Sequence, residues 1–264
     1  MVKSIFGAMA LGAMATASLA PVATAQTPAG KPTIVLVHGA FADSSSWNGV
    51  VRLLERDGYT VVAAANPLRS VSGDARSVGD VVASISGPVV LVGHSYGGSV
   101  ISAAAEGKPN VKALVYVAAF APDVGETAGG LSGKFPGSTL KPALAPPVPL
   151  SGGGNDLYIQ QSRFHDQFAA DVPEAQAKLM AAGQRPIADK ALGEAATEAA
   201  WKHLPTWFIY GDQDKNIPPQ ALAFMAERAH SRQTVVVKGG SHVVMVSHPE
   251  AVAALIEKAV GGKP

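Results

Sequence analysis

The stretch "LVGHSYGGSV", residues 91–100, holds one serine in a G-x-S-x-G pattern: Gly93, His94, Ser95, Tyr96 and Gly97. It closes an apolar run and opens a helix-forming one, and in that strand–turn–helix context the pattern reads as a nucleophile elbow. A tight turn there strains the serine backbone, so its neighbours must be small; Gly93 and Gly97 remove the side chains that would collide. Ser95 Oγ then stands at a helix N-terminus, where developing negative charge is favoured. A phosphate-binding loop would need Lys-Ser/Thr after the glycines, and a dinucleotide fingerprint needs a different glycine spacing. Neither is present.

A hydroxyl needs a base, and the base an orienting acid. Seven histidines compete. His38 and His94 sit in glycine turns, His165 and His203 in a central region or its exit, and His230 at a helix end. His242 follows the last β-branched run in "VVVKGGSHVVM" and is the base candidate, whereas His248, before Pro249, reads as a helix entry. For the acid, "FIYGDQDKNIPP" offers Asp212 at a strand end, suited to capping its own turn, and Asp214 deeper in the loop. Asp214 is preferred; its role would be to fix the tautomer of His242 and stabilise the imidazolium. Two backbone amides should form an oxyanion hole, Tyr96 after the nucleophile and Ala40 in "HGAFADSSSW" (38–47). The same loop has Asp43 or a following serine to cap a helix.

Six apolar runs must position these groups: "TIVLVHG" (33–39), "YTVVAAA" (59–65), "PVVLVGH" (88–94), "VKALVYVAA" (111–119), "PTWFIYG" (205–211) and "QTVVVKG" (233–239). Helical stretches over 46–57, 73–84, 96–106, 218–229 and 249–260 lie between or after them, and this alternation predicts an α/β domain with a mainly parallel sheet and helices on both faces. Between Phe120 and His203 the rhythm breaks. A loop-like half and an Ala-rich helical half predict a helical cap, about 121–203, over the carboxyl edge of the sheet. Phe120, Phe135, Phe164 and Phe168, on the cap or its edge, either line an apolar substrate pocket or pack the cap on the core.

The 264 residues carry 21 basic and 20 acidic side chains, which gives no electrostatic case for nucleic acid. The absence of cysteine excludes a thiol nucleophile, a Cys-ligated zinc and an iron–sulfur cluster, and no metal or other cofactor is called for. At the N-terminus, Lys3, an Ala/Gly-rich apolar stretch and small residues at Ala23 and Ala25 predict a cleaved secretory signal over 1–25. That implies export to a periplasm or beyond, with no stable membrane anchor, and leaves 31–264 as the functional domain. The oligomeric state is open.

With these pieces in order the chain resembles the α/β-hydrolase superfamily over about Lys31 to Val260. It is most similar to the compact branch of plant esterases, hydroxynitrile lyases and bacterial alpha/beta hydrolases. The stretches that carry the resemblance are "VLVHGAFADSSSW", "LVGHSYGGSVI", "LVYVAAFAPDVGE", "FHDQFAADVP", "IPPQALAFMAERA" and "GGSHVVMVSHPEAVA". The resemblance implies an α/β-hydrolase fold with a six-stranded core and a Ser95–His242–Asp214 triad acting on a small-molecule ester. Lyases of the branch have a lysine after the catalytic histidine and a threonine where this chain has Gly39; here Val243 follows His242. Both departures favour hydrolysis. A hydroxynitrile-lyase-type activity is the rival enzyme, and a triad-bearing ligand-binding protein with little turnover the rival of another class.

Overall fold

The computed structural model describes Met1 and residues 30–262; apart from Met1, the export signal expected over 1–25 lies outside the described residues. In chain order the elements are β1 (Thr33–Val37), α1 (Asn48–Arg56), β2 (Val61–Ala64), α2 (Val71–Ala83), β3 (Val89–His94), α3 (Tyr96–Ala104) and β4 (Val111–Val117). A middle region follows with α4 (Ala128–Gly133), α5 (Leu140–Ala143), β5 (Val148–Pro149), β6 (Asn155–Leu157), α6 (Gln161–Phe168), α7 (Glu174–Gly183), β7 (Ile187–Ala188) and α8 (Asp189–Gly193). The chain then returns through β8 (Thr206–Gly211), α9 (Pro219–Arg228), β9 (Gln233–Val237), α10 (Val244–Ser247) and α11 (Pro249–Val260). Pro219 and Pro249 open their helices, where a missing N–H costs nothing.

The main sheet has six strands in the order β2-β1-β3-β4-β8-β9, every neighbouring pair parallel. This is the α/β-hydrolase fold expected. All six residues of β3 and all six of β8 are buried, as strands covered on both faces must be, and this explains their unbroken apolar runs. The edge strand β9 alternates half-buried and exposed residues. One helical layer brings α1 together with α11 and α10; in the other α2 packs on α3.

Parallel strands put all their carboxyl ends on one edge, so the loops after β1, β3, β4, β8 and β9 converge. The chain turns to opposite sides after β1 and β3, which opens a crevice between their ends. Register pairs Val37 with Gly93 there, so the loop at 38–43 lies beside the turn at Ser95.

The middle region is not purely helical. β5, β6 and β7 form a small antiparallel sheet, with Val148 opposite Asp156 and Leu157 opposite Ile187. These strands of two or three residues are too short to show a period of two in the sequence. The region is tied to the main domain by Arg69, whose Nη1 reaches Asp156 Oδ1 at 2.6 Å, and by Glu194, which accepts from the Val71 and Ser72 amides at the start of α2.

Candidate active site

Ser95 is the residue before α3 and has φ 54° and ψ −124°, a left-handed conformation that is strained for any side chain. Close approach around it explains the small neighbours. A Cβ on Gly93 would lie 2.6 Å from the Gly97 oxygen, one on Gly97 2.4 Å from the Val37 oxygen, and one on Gly98 2.2 Å from the Phe120 oxygen. Gly98 lies outside the G-x-S-x-G pattern, and only the packing of α3 against the end of β4 reveals its constraint. The Ser95 carbonyl accepts from the Gly98 and Phe120 amides at 3.0 and 3.1 Å, which pins the turn between helix and sheet.

Gly39 lies directly against this turn. A Cβ there would fall 2.6 Å from Ser95 Cβ and 3.2 Å from the Tyr96 nitrogen. The loop is shaped by His38, which is fully buried: its Nδ1 lies 2.9 Å from the Gly39 oxygen, and its Nε2 accepts from the Asn66 amide at 3.1 Å. Those partners require the neutral ring with its proton on Nδ1, and burial lowers the His38 pKa accordingly. Asp43 caps the following turn by accepting from Ser45 N at 2.7 Å. Ala40, Ser95 and Tyr96 line one cavity.

His242 and Asp214 are brought together. Nδ1 of His242 lies 2.6 Å from Asp214 Oδ2, both side chains almost wholly out of solvent. Asp214 Oδ1 accepts from the Asn216 and Ile217 amides at 2.8 and 3.0 Å, so the carboxylate cannot swing away. His242 Nε2 is buried and has no hydrogen-bond partner among the described residues. Asp212 departs from the turn-capping role considered for it: its Oδ1 accepts from the Gly239 amide at 2.7 Å, 27 positions on, and ties the loop after β8 to the loop after β9. His248 is set apart at the start of α11, with Nδ1 3.5 Å from Asp171 Oδ2.

His94 is a structural partner of His242. Its Nε2 lies 3.0 Å from the His242 carbonyl oxygen, and the two rings are 4.8 Å apart. Complete burial drives the His94 pKa well below the ordinary histidine value, which keeps the ring neutral and a donor through Nε2. On the far side of the nucleophile, the Tyr96 hydroxyl donates to buried Asp74 at 2.9 Å. Burial raises the Asp74 pKa despite two contacts from the Arg69 amide.

A cavity of about 320 Å³ opens above Ser95. Of the four phenylalanines considered for it, only Phe120 lines it. Phe164 and Phe168 are fully buried, their rings packed at a tilt with centroids 4.9 Å apart, and Phe135 packs on Phe224 at 5.7 Å. The pocket wall is supplied instead by Phe41, Leu140, Leu144, Leu192 and Ile217. The rings of Phe135, Phe164 and Phe168 are taken up by packing because large flat surfaces gain most from burial. A larger groove of about 490 Å³, between α7 and the start of α1, contains none of these catalytic candidates. Among the described residues no cluster of three or more His, Asp or Glu could hold a metal ion.

Three residues of the stretch "FHDQFAADVP", for which the sequence predicts no catalytic role, complete the surroundings: Gln167, Phe168 and Asp171. The Phe168 ring lies 5.2 Å from the His242 ring, and Ser241, next to the base, donates to the Phe168 oxygen and to Asp171. Gln167 contacts the acid loop. Nothing in local periodicity distinguishes these residues from ordinary helix-end positions.

Residues 34–255 match the model of a family described as the alpha/beta hydrolase family. The alpha-hydroxynitrile lyase of Arabidopsis thaliana is 24% identical over 241 residues, covering 83% of this chain and 93% of its own. Methylesterase 8 of Arabidopsis thaliana is 26% identical over 243 residues, covering 83% of this chain and 86% of its own. Among solved structures, polyneuridine aldehyde esterase superposes with a TM-score of 0.74 at 21% identity, over 86% of this chain and 98% of that one.

Proposed function

We propose that this chain, which belongs to the alpha/beta hydrolase family, is an exported serine hydrolase of carboxylic esters. The reading is supported by two observations taken together: the buried His242–Asp214 pair at 2.6 Å, whose Nε2 has no hydrogen-bond partner among the described residues, and a strained serine that lines an apolar cavity. Ser95 Oγ attacks the ester carbonyl carbon as its proton passes to His242 Nε2. The amides of Ala40 and Tyr96 hold the oxyanion, and Asp214 stabilises the imidazolium. Collapse expels the alcohol, which takes the proton from His242. A water then gives its proton to His242 and attacks the acyl enzyme, releasing the acid and restoring Ser95.

Two features speak against the lyase chemistry of the relative. Gly39 has no room for a side chain, and Val243 is fully buried and apolar where a lysine would stabilise a cyanide leaving group. The walls of Leu140, Leu144 and Leu192 suit an apolar acyl or alcohol group. Export rests on the Lys3, apolar-stretch and Ala23-x-Ala25 pattern.

The test is a panel of chromogenic esters graded by acyl length, with mature wild type and Ser95→Ala. Turnover by wild type alone, with a serine-directed phosphonate attached to Ser95, is the expected result. Absence of both turnover and adduct in wild type would sink the proposal.

A further inference from the structure

We infer that Gln167, on the cap helix α6, is a positioning residue for the triad, acting on Asp214 through Asn216; this rests on the serine-hydrolase reading above. The Gln167 side chain is 4% exposed, and its amide is satisfied on three sides. Nε2 donates to Asn216 Oδ1 at 2.7 Å and to the Lys215 oxygen at 2.9 Å, and Oε1 accepts from Thr139 Oγ1 at 2.8 Å. Asn216 is itself 4% exposed, and its backbone amide is one of the two donors to Asp214 Oδ1. The contacts therefore run from the cap to the acid and on to the base: Gln167, Asn216, Asp214, His242.

The consequence is chemical as well as structural. With Oδ1 occupied by the Asn216 and Ile217 amides, the carboxylate presents Oδ2 to His242 Nδ1 in one orientation. Loss of the Gln167 donors frees the Asn216 side chain and leaves the Lys215 carbonyl to the Thr139 amide, so the peptide between residues 215 and 216 is held less firmly and the Asn216 amide drifts from Oδ1 even with Ser132 and Ser138 on the Asn216 carbonyl. With only the Ile217 amide left firmly on Oδ1, the carboxylate gains freedom about that contact, and the short contact to Nδ1 lengthens. The neighbouring residue reinforces the effect, since Phe168 packs its ring on His242 and accepts from Ser241. One turn of the cap thus touches both the acid loop and the base loop, which come from different strand ends. Small displacements in such a constellation cost rate steeply.

Gln167→Met keeps the shape and removes the hydrogen bonds. It is expected to lower kcat about tenfold with ester substrate, and to have almost no effect in an Asp214→Asn background, because the two residues act through one contact. A proton NMR spectrum of the free protein supplies a readout that needs no turnover: the His242 Nδ1 proton should give a far-downfield resonance in wild type that broadens or moves upfield in Gln167→Met. If Gln167→Met does not fold, Thr139→Val removes only the restraint on Gln167 Oε1 and should shift both readouts the same way by less. A kcat within twofold of wild type, an equal loss in the Asp214→Asn background, or an unchanged resonance would overturn the inference. A wild type with the resonance but no turnover would instead strike the ester-hydrolase reading.

Discussion

The two halves of the candidate site are held by different means. The nucleophile half, Ser95 with the loop at Gly39 and Ala40, is enclosed by backbone: glycines at 93, 97 and 98 meet carbonyl or amide atoms within 3 Å of where a Cβ would lie. The acid–base half has a backbone contact of the same kind, Gly211 against the Gly240 carbonyl, but adds side chains from the middle region: Gln167 on the acid loop, Phe168 and Asp171 on the base loop. Backbone contacts leave no adjustable part, whereas side-chain contacts can be exchanged one at a time. The difference teaches where the molecule can be retuned. Side chains of the middle region can change how His242 and Asp214 are aligned, but the turn at Ser95 allows substitution of its glycines only at the cost of the fold.

The largest effect expected is on Ser95→Ala, which should reduce kcat by roughly 10⁵-fold with little change in Tm, since triad members act as a unit. Rate measurement with a saturating ester checks it; a residual rate within a hundredfold would move the nucleophile elsewhere. Next comes the contrast between two aspartates two positions apart in one loop, which differ in their hydrogen bonding. Asp214→Asn should lower kcat by about 10⁴-fold, through the wrong histidine tautomer, while Asp212→Asn keeps an acceptor for Gly239 N and should cost less than about threefold.

The backbone-against-side-chain contrast can be tested by calorimetry. Gly98→Ala places a Cβ 2.2 Å from the Phe120 oxygen and should cost about 3 kcal/mol, or prevent folding. Gly133→Ala, at the end of α4 in open space, should be neutral or stabilising by up to about 1 kcal/mol. Equal losses at the two positions would remove the distinction.

A graded effect, with no change in sequence, is a pH dependence of stability set by the nucleophile half. His38 and His94 both have folded-state pKa values lowered by burial, from an ordinary 6.5. The unfolded chain therefore binds these protons first as pH falls. The stability they contribute is fully present above about 6.5 and drains away as pH drops toward their lower folded values, by up to roughly 2.7 kcal/mol per pH unit for two protons. Asp74, raised by burial, has the opposite sign and gives no loss on acidification. Urea midpoints between pH 7 and pH 5 read the slope, and His94→Gln should halve it.

Local sequence determined much of this molecule. The β-branched runs at 33–39, 88–94 and 205–211 are strands because a chain buried on both faces must be continuously apolar, and Pro249 opens its helix where a proline fits. Ser95 between glycines and His242 after the last strand are legible for the same reason: turn chemistry and chain order are short-range or ordinal signals. What only the tertiary structure decided depends on residues distant in sequence. Phe164 and Phe168 went to packing, and leucines of the cap took the pocket wall, because which face of a short helix meets the cavity is fixed by its neighbours and not by its own period. The three-stranded cap sheet, the need for glycine at 98, and the reach of Gln167 to Asn216 across 49 positions arise from close approach alone. Hydrogen bonds and steric limits act over a few ångströms, and only the folded chain brings such residues within that range.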